Sequence, residues 1–367
     1  MKNNPLIELE NDGQGVWLDY IRRDLILSGE LKKLIDEDGL SGMTSNPTIF
    51  EKAIASGTDY DAELDDLLEL NPKSDTNTLY EKIAIQDIQM AADLLMSVYR
   101  AKDKADGFVS LEVSPWLAED TQGTIDEARR LWKAVARPNV MIKVPATKKG
   151  IPAIETLIAE GININITLMF TMAHYEAVAQ AYIRGLGHCQ KPESVASVAS
   201  FFVSRVDVVV DKALEAIGTE EAFNLRGKTA IANSKMIYRR FRQIFDGEDF
   251  AFLRKKGARV QRPLWASTST KNPNYPDVLY IEALAGRDTV NTMPPDTLYA
   301  FRDHGVPKKD AVEEGKPEEV LNSLVKLGIN LNEVGEKLQQ DGVESFSASF
   351  KKLLSALEEK SKIITSR

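Results

Sequence analysis

The feature that most limits how this chain can fold is an alternation. Short apolar runs rich in β-branched and aromatic residues are separated, through most of the sequence, by longer amphipathic stretches with helical spacing. Such alternation belongs to βα units wound into a parallel sheet. Eight runs qualify as strands: 15–20, 40–46, 108–114, 140–146, 162–170, 195–204, 260–267 and 278–285. Eight predicts a closed α/β structure, the (β/α)8 or TIM barrel. That fold needs about 250 residues, so roughly a third of the 367-residue chain must form peripheral helices. The surplus is visible. Residues 61–100 are long enough for more than one helix, and 206–256 for two or three. From about 317 to 360, Leu321, Leu324, Leu331, Val334, Leu338, Phe346, Phe350, Leu354 and Leu357 recur at helical intervals, predicting helices packed on the barrel's outside. No repeat, low-complexity tract or Gly/Ser linker divides the chain, so residues 1–367 are expected to form a single domain; the polar segment 358–367 would suit either its end or the start of a linker.

Composition narrows the function classes. With 43% hydrophobic and 28% charged residues the chain can bury a large core, which excludes disorder and fibre. Forty-six basic against 55 acidic residues give a net charge of −9, which argues against nucleic acid as a partner but leaves room for a local basic pocket. Cys189 stands alone, and His174, His188 and His304 have no zinc-ligand spacing, so neither disulfide nor metal is expected. The first fifteen residues carry acids and no apolar h-region. The most apolar stretch, 195–210, is broken by Arg205 and Asp207, so no membrane span is expected and the cytoplasm is the default location.

In a barrel both strand faces should be apolar except near the C-terminal ends, where active sites sit. Polar residues there are candidates. The fifth strand alternates Ile162, Asn163, Ile164, Asn165, Ile166, Thr167, and isoleucine suits the helix layer, so the amides should face inward. An edge strand with one wet face would also show this pattern, but seven companion strands argue against an edge. On the fourth strand Lys143 interrupts Met141, Ile142 and Val144. A buried ammonium loses hydration, which favours the neutral amine, a nucleophile able to form a Schiff base with a carbonyl. A lysine reaching solvent at a strand end is the alternative. Asp19, Asn46 and Glu112 lie near the ends of the first three strands; singly each could be a helix cap or a structural hydrogen bond, and Asn46-Pro47 has the form of an N-cap with proline at N1. Arg205 and Lys271 follow the sixth and seventh strands in hydroxyl-rich company, which would suit a phosphate. Arg205 could equally pair with Asp207 or Asp211. No glycine-rich nucleotide fingerprint is present.

These segments resemble the transaldolase family in its longer bacterial form. One signature is Gly42-Met43-Thr44-Ser45-Asn46-Pro47-Thr48-Ile49-Phe50, and a second is Val140-Met141-Ile142-Lys143-Val144-Pro145-Ala146-Thr147, continuing through Gly150-Ile151-Pro152-Ala153. Trp17-Leu18-Asp19, Leu111-Glu112-Val113-Ser114, Asn165-Ile166-Thr167-Leu168, Ser200-Phe201-Phe202-Val203-Ser204-Arg205 and Leu264-Trp265-Ala266-Ser267 follow in the family's order. Two departures are Lys149, where an acidic or small residue is usual, and the loop after Ser267, which differs from the short-form pattern.

The resemblance implies transfer of a dihydroxyacetone unit from fructose 6-phosphate or sedoheptulose 7-phosphate to an aldose phosphate, in the non-oxidative pentose phosphate pathway, with no cofactor. It implies that Lys143 forms the Schiff base, that Asp19 handles the C4 hydroxyl proton, and that Glu112 works through a water held with Thr167. It further implies that Asn46, Asn165, Ser200 and Phe202 meet the sugar, and that Arg205, Ser267 and Lys271 meet the phosphate. Monomer and homodimer are both compatible with it. A fructose 6-phosphate aldolase would share barrel and lysine, but that branch is shorter and usually has glutamine for Glu112 and tyrosine for Phe202. A barrel kept only as an interaction subunit would be free to lose Lys143, Asp19 or Glu112, and all three are present.

Overall fold

The computed structural model describes residues 4–55 and 57–365. Eight strands, β1 (Gln14–Asp19), β2 (Gly42–Thr44), β3 (Phe108–Glu112), β4 (Val140–Pro145), β5 (Ile164–Met169), β6 (Ser197–Phe202), β7 (Arg262–Ala266) and β8 (Thr289–Met293), run parallel and close in sequence order, β8 returning to β1. The first seven overlap the runs predicted from sequence. The eighth does not. Residues 278–285, expected as a strand, contain the short helix Leu279–Ala283 with Tyr280 and Ile281 buried, while the true β8 reads Thr-Val-Asn-Thr-Met. Periodicity cannot separate a short apolar helix from a strand, and β8 is disguised by polar side chains bonded inside the protein: Thr289 Oγ1 accepts from Gln14 Nε2 at 2.9 Å and Asn291 Oδ1 from Thr268 Oγ1 at 2.9 Å.

The barrel's N-terminal end is plugged. Asp106, just before β3, accepts from Trp17 Nε1 at 2.8 Å and Ser41 Oγ at 3.2 Å and pairs with Arg262 at 3.0 Å. The Trp17 ring lies over Gly42, where an added Cβ would come within 2.4 Å of the indole, so glycine is required at the start of β2. With this end filled by side chains, a small molecule has its opening at the other end.

The extra residues are helices, as expected, though the stretch between β6 and β7 holds four (Ser204–Ile217, Glu220–Phe223, Thr229–Asp246 and Glu248–Lys255) where two or three were anticipated. The C-terminal helix Leu331–Thr365 departs further from expectation. Its lower half lies against the peripheral helices through buried Phe350, Leu353 and Leu357, each contributing about 1.5 to 3 kcal/mol. Its upper half crosses the C-terminal ends of β4 and β5. There Gln339 Nε2 donates to the carbonyls of Ala146 (3.0 Å) and Leu168 (2.9 Å), and Glu336 meets His174 Nε2 at 2.9 Å. The crossing is so close that a Cβ at Gly335 would fall 2.1 Å from Thr171 Cγ2. This helix is therefore also part of the barrel's mouth, a placement that amphipathic periodicity does not carry. Residues 358–365 continue it, with Lys360 paired to Asp61 at 2.7 Å.

Candidate active site

The strand register sets the site. Glu112 on β3 lies beside Lys143 on β4, and Lys143 beside Asn165 on β5, so all three project to the same face, into the barrel. Lys143 is only 5% exposed; its Nζ donates to the carbonyl of Ser45 at 2.9 Å and touches Glu112 Oε1 at 2.6 Å. The contact with Glu112 is a short ion pair, made alongside the hydrogen bond to Ser45 by an ammonium that has three protons to give. The solvent-reaching lysine of the alternative reading is thereby excluded.

Lys143 opens onto a cleft of about 420 Å³, suited to a small molecule. Of the residues singled out from sequence, Asp19, Asn46, Thr167, Ser200, Phe202, Arg205, Ser267 and Lys271 line it with Lys143. Asp19, at the end of β1, accepts from Thr44 Oγ1 at 2.8 Å, and Thr44 in turn meets Thr292 Oγ1 at 2.7 Å. Burial pushes the Asp19 carboxyl above its ordinary pKa, against the opposing pull of Lys143, the Thr44 hydrogen bond, Arg205 and Lys271. Asn46 Oδ1 caps the helix Pro47–Ala55 by accepting from Ile49 N at 3.0 Å, so the predicted cap is formed at the rim of the cleft.

Two predicted residues stand back from the cleft. Asn165 is fully buried, its amide bonded to Ser110 Oγ (2.9 Å) and its carbonyl oxygen to Ser200 Oγ (2.6 Å); it supports Ser200, which does face the cleft. Glu112 lies behind Lys143, and burial raises its pKa over the opposing effect of Lys143. A second cavity of about 20 Å³ adjoins Glu112, Lys143 and Thr167, room for about one water. The Thr167 hydroxyl is buried and without a hydrogen-bond partner among the described residues. A buried unpaired hydroxyl is costly, and this one borders a volume that a water would fill.

The far side of the cleft is cationic. Arg205 lies over the Phe202 ring at 5.0 Å and Lys271 Nζ donates to Ser269 Oγ at 2.6 Å. Burial lowers both pKa values, and the Arg205 charge lowers that of Lys271 further. Neither forms a carboxylate ion pair among the described residues. Asp207 and Asp211, the alternative partners of Arg205, are otherwise engaged: Asp207 accepts from Tyr280 OH (2.8 Å) and Ala230 N (2.7 Å), Asp211 from Tyr275 OH (2.6 Å) and Gly227 N (3.1 Å). Ser267 adopts φ +55° and its hydroxyl meets Ser204 Oγ at 3.0 Å, turning the loop after β7 toward Arg205's helix. Two neighbouring cations that feel the Asp19 charge but form no ion pair with a carboxylate among the described residues are poised for an anion.

Sequence reasoning passed over Thr44, Ser45, Thr292 and Phe346. The first two lie inside the Gly42–Phe50 signature and could have been found there; Phe346, which borders both cavities, arrives on the C-terminal helix with no local signal. Among the described residues no group of three His, Cys, Asp or Glu side chains could hold a metal ion, and no helix is long and apolar enough to cross a membrane.

Fold and cleft together define a (β/α)8-barrel enzyme with its site at the C-terminal mouth. The chain belongs to the transaldolase/fructose-6-phosphate aldolase family, whose model matches residues 16–357. A transaldolase of Thiobacillus denitrificans is 47% identical over 355 residues, 94% of this chain and 97% of that one. A protein named transaldolase 2 from a Nostoc species is 44% identical over 382 residues and the whole of both chains, and a transaldolase of Thermobifida fusca is 46% identical over 357 residues, 96% of each.

Proposed function

We propose that the protein is a transaldolase that moves a dihydroxyacetone unit from fructose 6-phosphate or sedoheptulose 7-phosphate to an aldose phosphate through an imine on Lys143. The observation that carries this reading is the burial of Lys143 between Glu112, at 2.6 Å, and a cleft that is also lined by Asp19 and the two cations.

The residues divide the chemistry. Lys143 as free amine adds to the C2 carbonyl of the ketose. Expulsion of the C2 hydroxyl as water needs a proton, and Glu112, acting through a water shared with Thr167, supplies and retrieves it. The resulting iminium draws electrons from the C3–C4 bond while Asp19 removes the C4 hydroxyl proton; the aldose phosphate leaves and an enamine remains. Addition of the enamine carbon to the acceptor aldehyde reverses these steps, Asp19 returning its proton. Burial supports both carboxyl roles, since a raised pKa brings proton donor and acceptor forms closer to balance. Arg205, Lys271 and Ser267 hold the phosphate, Ser200 and Asn46 the sugar hydroxyls, and Asn165 holds Ser200.

Glu112 and Phe202 favour transfer over simple cleavage, as does the near full-length likeness to proteins named transaldolase. We take the chain as one domain acting in the cytoplasm, a compartment suited to its single unpaired thiol, Cys189. Borohydride reduction in the presence of fructose 6-phosphate should add a dihydroxyacetone-sized mass to the peptide containing Lys143, and release of glyceraldehyde 3-phosphate should depend on added erythrose 4-phosphate. Labelling at Lys148 or Lys149 instead, or equal release without acceptor, overturns the reading.

A further inference from the structure

The two carboxylates that could have neutralised Arg205 have another arrangement. Asp207 and Asp211 are four residues apart on the helix Ser204–Ile217, both buried, and each bridges two separate segments. One oxygen of each takes a backbone N–H from residues 227–230, and the other takes a tyrosine hydroxyl from the segment after β7. The part of it ahead of the helix Leu279–Ala283, residues 267–278, includes Tyr275 and carries Ser267, Ser269 and Lys271 into the cleft. Past Thr268, bonded to Asn291, its hydrogen bonds as far as Tyr275 are local: Lys271 to Ser269, Asn274 N to Asn272 and Tyr275 N to Asn272. Among the described residues the Tyr275 hydroxyl is the first to tie the loop back to the body, at 2.6 Å from Asp211. The tie is backed by Gly227, whose φ of +70° and absent side chain let the Tyr275 ring lie against it; a Cβ there would stand 2.9 Å from Tyr275 Cζ. A cavity of about 240 Å³ between loop and helix, bordered by Asp211, Lys271 and Tyr275, leaves the loop little other support.

We propose that Asp211 and Tyr275 form a strap that holds Lys271 in place opposite Arg205, so that phosphate affinity is set by two residues that touch no substrate. Arg205 stands on the same helix as Asp211, so one rigid element carries one cation directly and the other through the strap. The proposal rests on the phosphate reading given above. Asp211 and Tyr275 are positioning residues, and at a pH well above the acid limb set by Asp19, whose carboxyl Lys271 also influences, their removal should affect the phosphate contact alone.

The test uses inorganic phosphate as a competitive inhibitor, with fructose 6-phosphate and unphosphorylated fructose as alternative donors. At a pH well above the acid limb of the rate profile, Tyr275→Phe should raise Ki for phosphate and KM for fructose 6-phosphate roughly two- to tenfold, the span of one hydrogen bond, while the kinetics with fructose stay as they were. Asp211→Asn should move the same constants in the same direction. In the background of Lys271→Ala, Tyr275→Phe should have no further effect, because the strap acts through that lysine. Equal damage to both donors, or an effect that adds fully to that of Lys271→Ala, overturns the strap and makes Tyr275 a merely structural residue. Arg205→Ala separates the two ideas: if it leaves Ki for phosphate unchanged the phosphate reading itself fails, and if it raises Ki while Tyr275→Phe does nothing, only the strap fails.

Discussion

Arg205→Ala tests the most distinctive element of the site, a cation that forms no ion pair with a carboxylate among the described residues and feels the nearby charge of Asp19. Truncation orphans no carboxylate, since Asp207 and Asp211 are bonded elsewhere. It forfeits the stacking on Phe202, worth about 0.5 to 1 kcal/mol of stability. A hydrogen bond to a charged group contributes about 1.5 to 3 kcal/mol, so at about 1.4 kcal/mol per tenfold the KM for fructose 6-phosphate should rise roughly ten- to a hundred and fifty-fold. The phosphate does not change during the reaction, so the loss is uniform binding and kcat should move little. The structure adds a second effect. Arg205 also lowers the pKa of Asp19, so its removal should shift the acid limb of the rate profile upward for every donor. Initial rates with fructose 6-phosphate and with fructose, measured across pH, separate the two: well above the limb only the phosphorylated donor should suffer, and on the limb both should. Equal losses with both donors at high pH would refute the assignment and make Arg205 structural.

The two carboxyls should fail at different steps. Asp19→Ala should form the imine yet not release aldose phosphate, whereas Glu112→Ala should slow imine formation itself, each by about a hundred- to ten-thousand-fold in single-turnover experiments; normal imine formation without Glu112 would sink its role. Thr44→Val removes a hydrogen bond that stabilises the ionised Asp19. The folded pKa, already raised by burial, should climb further, and the acid limb of kcat/KM should move to higher pH; a limb that stays put or moves down contradicts the link. Gln339→Ala leaves the carbonyls of Ala146 and Leu168 unpaired beneath the C-terminal helix. A loss of about 1 to 3 kcal/mol per carbonyl is expected in urea unfolding, and an unchanged midpoint would show that the helix is not pinned there.

Much of this protein is written locally. Buried parallel strands must be apolar on both faces, so seven of them announced themselves, and for the same reason Lys143 and the amide of Asn165 stood out as intrusions that only an interior site tolerates. Motifs around Asp19, Asn46, Glu112 and Lys143 supplied the residues that now line or back one cleft. What sequence could not carry are relations between distant segments. Strand β8 was missed because its polar side chains find partners on β1 and the β7 loop, and no pattern within five residues reveals a partner elsewhere. In the sequence Arg205 could be either a phosphate ligand or the ion-pair partner of its neighbouring acids; only folding brings Tyr275, Tyr280 and the 227–230 segment to those acids and leaves the arginine without either as a partner. The C-terminal helix shows its apolar face to any reader of its periodicity, but which surface that face covers depends on close approach at Gly335 and on two carbonyls at the ends of β4 and β5, and these meet only when the barrel has closed.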